Sequence, residues 1–177
     1  MGQRRLPDRI LDLDEPSDGN VVWTVSNAAG VYVTTNDGAS WIQSASFPGT
    51  GNAIKIQADP SNLDGAFVVF GGYGTGGPHI VRTTDRGISW TDVTGDYPDQ
   101  PANTLIVDPA FPNHWYVGSD IGVFRTTDGG ATWLPFGAGL VNAVVVDLRS
   151  GATRESSSPA PTVVPSGRST SPQLGGD

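Results

Sequence analysis

Apolar and polar positions alternate along this chain in short runs, each broken by glycine, proline, aspartate or asparagine. AIKIQA at 53–58 has the period of two of a strand with one buried face, and AFVVF at 66–70 and TLIVD at 104–108 are short apolar runs of strand length. No stretch sustains helical spacing, and no apolar run reaches the length that crosses a membrane as a helix. The runs recur in a fixed order. RILDLDEPSDG (9–19), AIKIQADPSNLDG (53–65) and NTLIVDPAFPN (103–113) each carry a strand into an acidic-proline turn. A second apolar strand follows (VVWTV, AFVVF, HWYV), then a loop, a third strand (VYV, IVR, VFR), a tight turn and a fourth strand.

The tight turn is spelled almost identically three times: TTNDGASW, TTDRGISW and TTDGGATW. Its shared positions are Thr34, Asn36, Gly38, Ser40 and Trp41; Thr83, Asp85, Gly87, Ser89 and Trp90; and Thr126, Asp128, Gly130, Thr132 and Trp133. An Asp or Asn there accepts backbone N–H bonds a couple of residues ahead, and glycine takes the positive φ that such a turn demands. The tryptophan covers the hairpin with apolar surface. These residues are expected to be structural staples.

Measured between Glu15, Asp59, Asp108 and Asp147, the units are 44, 49 and 39 residues long. Four short antiparallel strands in such a unit are the pattern of a β-propeller blade. The expected fold is all-β, a partial β-propeller of about three four-stranded blades. Residues 1–8 form a flexible start, and the blades span about 9–53, 54–102 and 103–141. Residues 142–149 (NAVVVDLR) give the first strand of a fourth. From 150 to 177 the chain is rich in Ser, Pro and Gly, and disorder is expected. Read one base out of register from Glu155, suitable codons give VVVAGTYGRAVWSI, a strand, a turn and a strand. A frameshift in the fourth blade is therefore the expectation, one that the coding DNA tests.

Composition narrows the function. The 18 acidic and 10 basic residues leave a net charge of −8, which argues against a nucleic-acid groove. There is no cysteine, so thiolate zinc sites and disulfides are excluded. His79 and His114 lack ligand spacing; neither a metal site nor a cofactor is expected. MGQRRLPDRI has no apolar segment behind its basic residues and is not a secretory signal as it stands. The compartment stays open between a cytosolic protein and a parent whose start lies upstream, exported or extracellular.

The turn sequences resemble the Asp-box, or bacterial neuraminidase repeat, over roughly residues 10–147. That repeat is found in sialidases, xyloglucanase-type glycoside hydrolases, sortilin-type receptors and photosystem II assembly-factor propellers. The resemblance implies fold more strongly than function, since the Asp-box of those families lies at the blade periphery, away from catalysis. It also implies where an enzyme's acids would be, on loops at one propeller face or between two propeller domains. The candidates here are Asp92, Asp96, Asp99 and Asp120, beside the plainer reading that they are solvated turn residues. Arg82 and Arg125 repeat at one place on the third strand, which indicates structural register more than a sialidase-like arginine cluster. Trp23 and Trp115 fall at matching positions when the units are aligned on Ser26 and Gly118. Packing between blades is the stronger reading for them than a sugar platform.

The resulting expectation is a non-catalytic scaffold that binds protein or glycan through loops such as 71–78 and 92–101, with Tyr73 as a contact. The alternative is a fragment of a xyloglucanase-like or sialidase-like hydrolase. Three blades leave two open faces, to be covered by further blades or a second copy.

Overall fold

The computed structural model describes residues 9–16, 19–26, 30–44, 52–74, 76–137 and 143–149. The start at 1–8 and the tail at 150–177, Glu155 included, lie outside the described residues. Among those described there is no helix, and twelve strands form three four-stranded antiparallel sheets. The first sheet is β1 (Ile10–Asp14), β2 (Val22–Ser26), β3 (Val31–Thr34) and β4 (Ile42–Gln43). The second is β5 (Asn52–Ala58), β6 (Ala66–Gly71), β7 (Ile80–Thr83) and β8 (Thr91–Asp92). The third is β9 (Ala102–Asp108), β10 (Phe111–Ser119), β11 (Gly122–Thr126) and β12 (Leu134–Phe136). Each sheet is a meander in sequence order, so every strand pairs with its chain neighbour.

The sheets stack face to face in chain order, with β1 and β2 against β5, and β5 and β6 against β9. Side-chain alternation assigns each residue to one stack. Trp23, Val25 and Val33 of the first sheet meet Ile56, Ala66, Val68 and Val81 of the second in one buried cluster. Phe67 and Val69, on the opposite face of β6, meet Leu105, Val107, Trp115 and Val117 of the third in another. Burying about 150–250 Å² at about 25 cal/mol per Å² makes each of Trp23 and Trp115, both wholly buried, worth at most roughly 4–6 kcal/mol.

The strand register corrects one equivalence. Thr34, Thr83 and Thr126 begin the three turns, and they pair with Val22, Ala66 and Trp115 respectively. Trp23 therefore matches Phe67 and Tyr116, one residue out of step with Trp115. A slip of one residue changes face. Trp23 points forward to the next sheet, whereas Trp115 points back to the preceding one. Arg82 and Arg125 do share a position, opposite Phe67 and Tyr116.

Arg82 shows what that position holds when a following sheet is present. Its guanidinium lies 5.2 Å from the Phe67 ring and 5.6 Å from the Trp115 ring of the third sheet. It also donates to the buried Asp59 carboxylate at 2.7 Å. The guanidinium is partly buried between two rings with its counter-ion beside it, although its Nε has no hydrogen-bond partner among the described residues. Leu13 shows the converse on the first sheet. It pairs with Thr24 as Ile56 does with Val68 and Leu105 with Val117. Those two are fully buried, but Leu13 is 55% exposed.

Candidate functional site

Strand alternation puts two kinds of connection at opposite ends of the sheets. The β3–β4, β7–β8 and β11–β12 turns lie at one end, and the β6–β7 and β10–β11 loops at the other.

The turn end repeats one bonding scheme. The hydroxyls of Thr34, Thr83 and Thr126 donate to Asn36, Asp85 and Asp128 at 2.9, 2.8 and 2.7 Å. Each hydroxyl also accepts the N–H of Gly38, Gly87 or Gly130 at 3.0 Å. The Oδ1 of each Asp or Asn then accepts the N–H of Ser40, Ser89 or Thr132. In the second and third turns the Ser89 and Thr132 hydroxyls donate to the remaining carboxylate oxygen at 2.6 Å. In the first turn that bond reverses, because Asn36 Nδ2 donates to Ser40 Oγ at 2.9 Å. The Thr132 hydroxyl, with the Thr132 amide and the Thr126 hydroxyl, brings Asp128 down to about 2; Ser89 above all lowers Asp85.

These turns also brace the stack. Gly87 sits on Ser44 of the first sheet, whose hydroxyl donates to Gly87 O and accepts from Trp90 Nε1. Gly130 sits likewise on Val93, at the end of the second sheet. Trp90 packs edge-on to Trp23 and Trp133 onto Trp115 and Tyr97, while Trp41 is half-buried.

The other end differs between the second and third sheets. The four candidate carboxylates separate into three settings. Asp92 accepts the N–H of Thr94 within its own turn. Asp96 accepts the N–H of Trp133 at 2.6 Å and so belongs to the turn-side contact. Asp99 and Asp120 converge on adjacent residues of the β6–β7 loop. Gly74 N–H points between the two Asp99 oxygens at 2.8 and 2.9 Å, and the Tyr73 hydroxyl donates to Asp120 at 2.7 Å. Asn103 Nδ2 holds the other Asp120 oxygen at 2.8 Å, and the buried His79 ring lies 3.2 Å from Asp99.

Asn103, with Tyr73, keeps Asp120 below the usual carboxylate range, and the bond to Asp120 raises the Tyr73 hydroxyl. Around neutral pH the pair is therefore a phenol donating to a carboxylate. This fixes the orientation of a ring that is 58% exposed. Burial pushes the Tyr97 hydroxyl up, and its ring is wedged among His79, Phe124 and Trp133.

A second polar region was not singled out in the sequence. The inner strands β1, β5 and β9, with 147–149, line a cleft of about 320 Å³ containing Asp12, Asp14, Lys55, Gln57 and Asp147. Asp12 and Asp14 cap the free edge of β5, accepting the N–H groups of Ile56 at 2.9 Å and Ala58 at 2.7 Å. Burial raises the Asp14 carboxyl, whereas Lys55 at 2.8 Å and Arg149 at 2.9 Å bring Asp147 down to about 2. The available signal was the pair of acids at alternate positions of ILDLD.

Comparison with known proteins agrees with this architecture. No family model matches the chain. A probable oligoxyloglucan-reducing end-specific xyloglucanase of Neosartorya fischeri is 29% identical, covering 67% of this chain and 16% of that protein. A xyloglucanase of Paenibacillus sp is 28% identical over 66% of the chain and 13% of its own length. The chain thus spans about a sixth or less of these relatives. Among solved structures, an ancestral GH74 enzyme superposes with a TM-score of 0.57 at 21% identity, over 76% of this chain and 19% of the enzyme. YCF48 from Cyanidioschyzon merolae gives 0.56 at 20% identity, over 76% and 39% respectively. The fold is that of a β-propeller, present here as three blade-like sheets. The chain is a propeller segment similar to those of xyloglucanases.

Proposed function

We propose that this chain is a non-catalytic propeller segment whose loop end binds an uncharged glycan, with Tyr73 as the platform. The carrying observation is the Tyr73–Asp120–Asn103 arrangement, which places an exposed aromatic ring, bonded through its hydroxyl, beside two carboxylates. A fixed ring presents a flat apolar face at little entropic cost, and carboxylates accept sugar hydroxyls. A net charge of −8 disfavours acidic glycans. The names of the relatives point to xyloglucan-derived oligosaccharides as the first ligands to try. Within this proposal the three turns are Asp-boxes that serve the scaffold, and the blades keep the limits given from the sequence.

The hydrolase reading has one observation in its favour, the convergence of Asp99 and Asp120 on one dipeptide. Two-carboxylate hydrolysis pairs a protonated acid with an ionised base or nucleophile, and Asp120, held below the usual carboxylate range by Asn103 and Tyr73, suits only the ionised role. A YCF48 structure is described as bound to D1 peptide, which makes a peptide the competing ligand class. Calorimetric titration with xyloglucan oligosaccharides should show binding that Tyr73→Ala weakens at least about tenfold, a loss of about 1.4 kcal/mol, with no new reducing ends released. Release of reducing ends that Asp99→Asn or Asp120→Asn abolishes would establish the hydrolase instead.

A further inference from the structure

We infer, resting on the glycan reading of the Tyr73 platform, that the buried His79 ring acts through Asp99 as the positioning group of that platform, which is held more firmly as the ring takes up a proton. The Tyr73 ring is tied at its far end by the hydroxyl bond to Asp120. On the backbone side it is tied by the next residue. Gly74 N–H points at both Asp99 oxygens, at 2.8 and 2.9 Å. Packing adds little here. Gly74 and Gly76 have φ of 59° and 60°, and a Cβ on Gly76 or Gly77 would meet nothing within 4 Å. How firmly Asp99 is held therefore decides how firmly Gly74, and with it the Tyr73 backbone, keeps its place.

The Asp99 side chain is 61% exposed, so its partners rather than its surroundings orient it. His79 is the partner anchored in the core. Its side chain is 7% exposed, its Nε2 lies 3.2 Å from Asp99 Oδ1, and its ring tilts against the Tyr97 ring at 5.8 Å. The His79 backbone is fastened on both sides, its N–H donating to Thr94 Oγ1 at 3.0 Å and its C=O accepting from Phe70 N–H at 2.9 Å. Facing a carboxylate, a neutral imidazole carries its proton on Nε2 and donates it. A second proton adds a full positive charge to that contact and so a Coulomb attraction on top of the hydrogen bond. The other titratable groups around the ring are Tyr97, on the same connection as Asp99, and Tyr73 with Asp120 behind it. Asp92 and Asp96 of that connection bond to Thr94 and Trp133 instead, and Arg82, farther along β7, is turned to Asp59. Histidine changes charge between about pH 5 and 8, while carboxylates stay ionised across that range. A partner that favours the charged ring therefore gives its full hold at the acid side of the range, and the hold is lost as the pH rises.

The full chain tests this first without a ligand. NMR follows the His79 ring and the hydrogen-exchange protection of the Gly74 amide together from pH ~8 to ~5. Protection should rise about threefold as the ring is protonated, the scale of a partly exposed ion pair, with one midpoint for both signals. Asp99→Asn, a change at an exposed side chain, should remove the rise, and His79→Gln should remove it as well. Circular dichroism checks that both variants fold. Over the same range a xyloglucan oligosaccharide should bind the chain about threefold more tightly at pH ~5 than at pH ~8, and His79→Gln should level the two affinities. Gly74 protection that ignores the His79 midpoint, or a rise that survives in Asp99→Asn, would overturn the inference. Protection that follows His79 while no oligosaccharide binds at either pH would support the positioning role and sink the glycan reading.

Discussion

The two ends of the sheets are built on opposite plans. At the turn end, Thr34, Thr83 and Thr126 make the same bonds to the same positions three times, all within four residues of chain. At the loop end, Tyr73 reaches Asp120 across 47 residues and Gly74 reaches Asp99 across 25. Bonds that recur in every sheet satisfy a need every sheet has, which is to end a hairpin and seat it on its neighbour. Bonds made once shape a surface that only one place in the stack requires.

The strongest way to break this contrast is at the seat itself. Gly130 has φ +94°, and a Cβ there would lie 2.5 Å from Val93 O, so Gly130→Ala should cost roughly 3 kcal/mol or more. Gly38, at φ +76°, meets nothing closer than Trp41 Nε1 at 4.0 Å, and Gly38→Ala should cost only about 1–2 kcal/mol. Urea midpoints measure both, and equal losses would mean that the turn does not brace one sheet on the next. Acid gives a smaller effect. A carboxylate with a lowered pKa contributes its full stabilisation above the unfolded value near pH ~4. That contribution is lost as the pH falls through the folded value, about 2 for Asp128. Asp128→Asn, the residue type already present at Asn36, should keep the turn and remove this part of the acid dependence. An ordinary pKa for Asp128 by carboxyl NMR would refute the bonding scheme. The least effect is expected at Asp37, which has a φ of 53° at the position that Gly129 occupies in the third turn with a φ of 75°. Asp37→Gly should raise stability by up to about 1 kcal/mol, read again from the urea midpoint.

The sequence made the succession of sheets legible because each unit spells its turn in the same letters, and all-β architecture follows from period-two runs between them. Register was harder. Trp23 and Trp115 both stand in strands apolar on each face, so neither pattern nor burial distinguishes a slip of one residue; only pairing to Thr34 and Thr126 does. Asp12 and Asp14 alternate with leucines in ILDLD, and nothing in that run announces that they cap the free N–H groups of β5, a partner 44 residues away. The Tyr73–Asp120 and Gly74–Asp99 bonds join loops of two sheets, and no local spelling announces such a meeting. Loop composition could nominate these residues singly but could not bring them together.

Amide chemical-shift mapping during titration with a xyloglucan oligosaccharide tests most directly whether the two ends divide scaffold from binding surface. The account predicts saturable shifts centred on Tyr73, Gly74, Asn103 and Asp120, with the Gly38, Gly87 and Gly130 amides unmoved. Shifts centred on the turns, or saturable binding that leaves the Tyr73 loop silent, would contradict it.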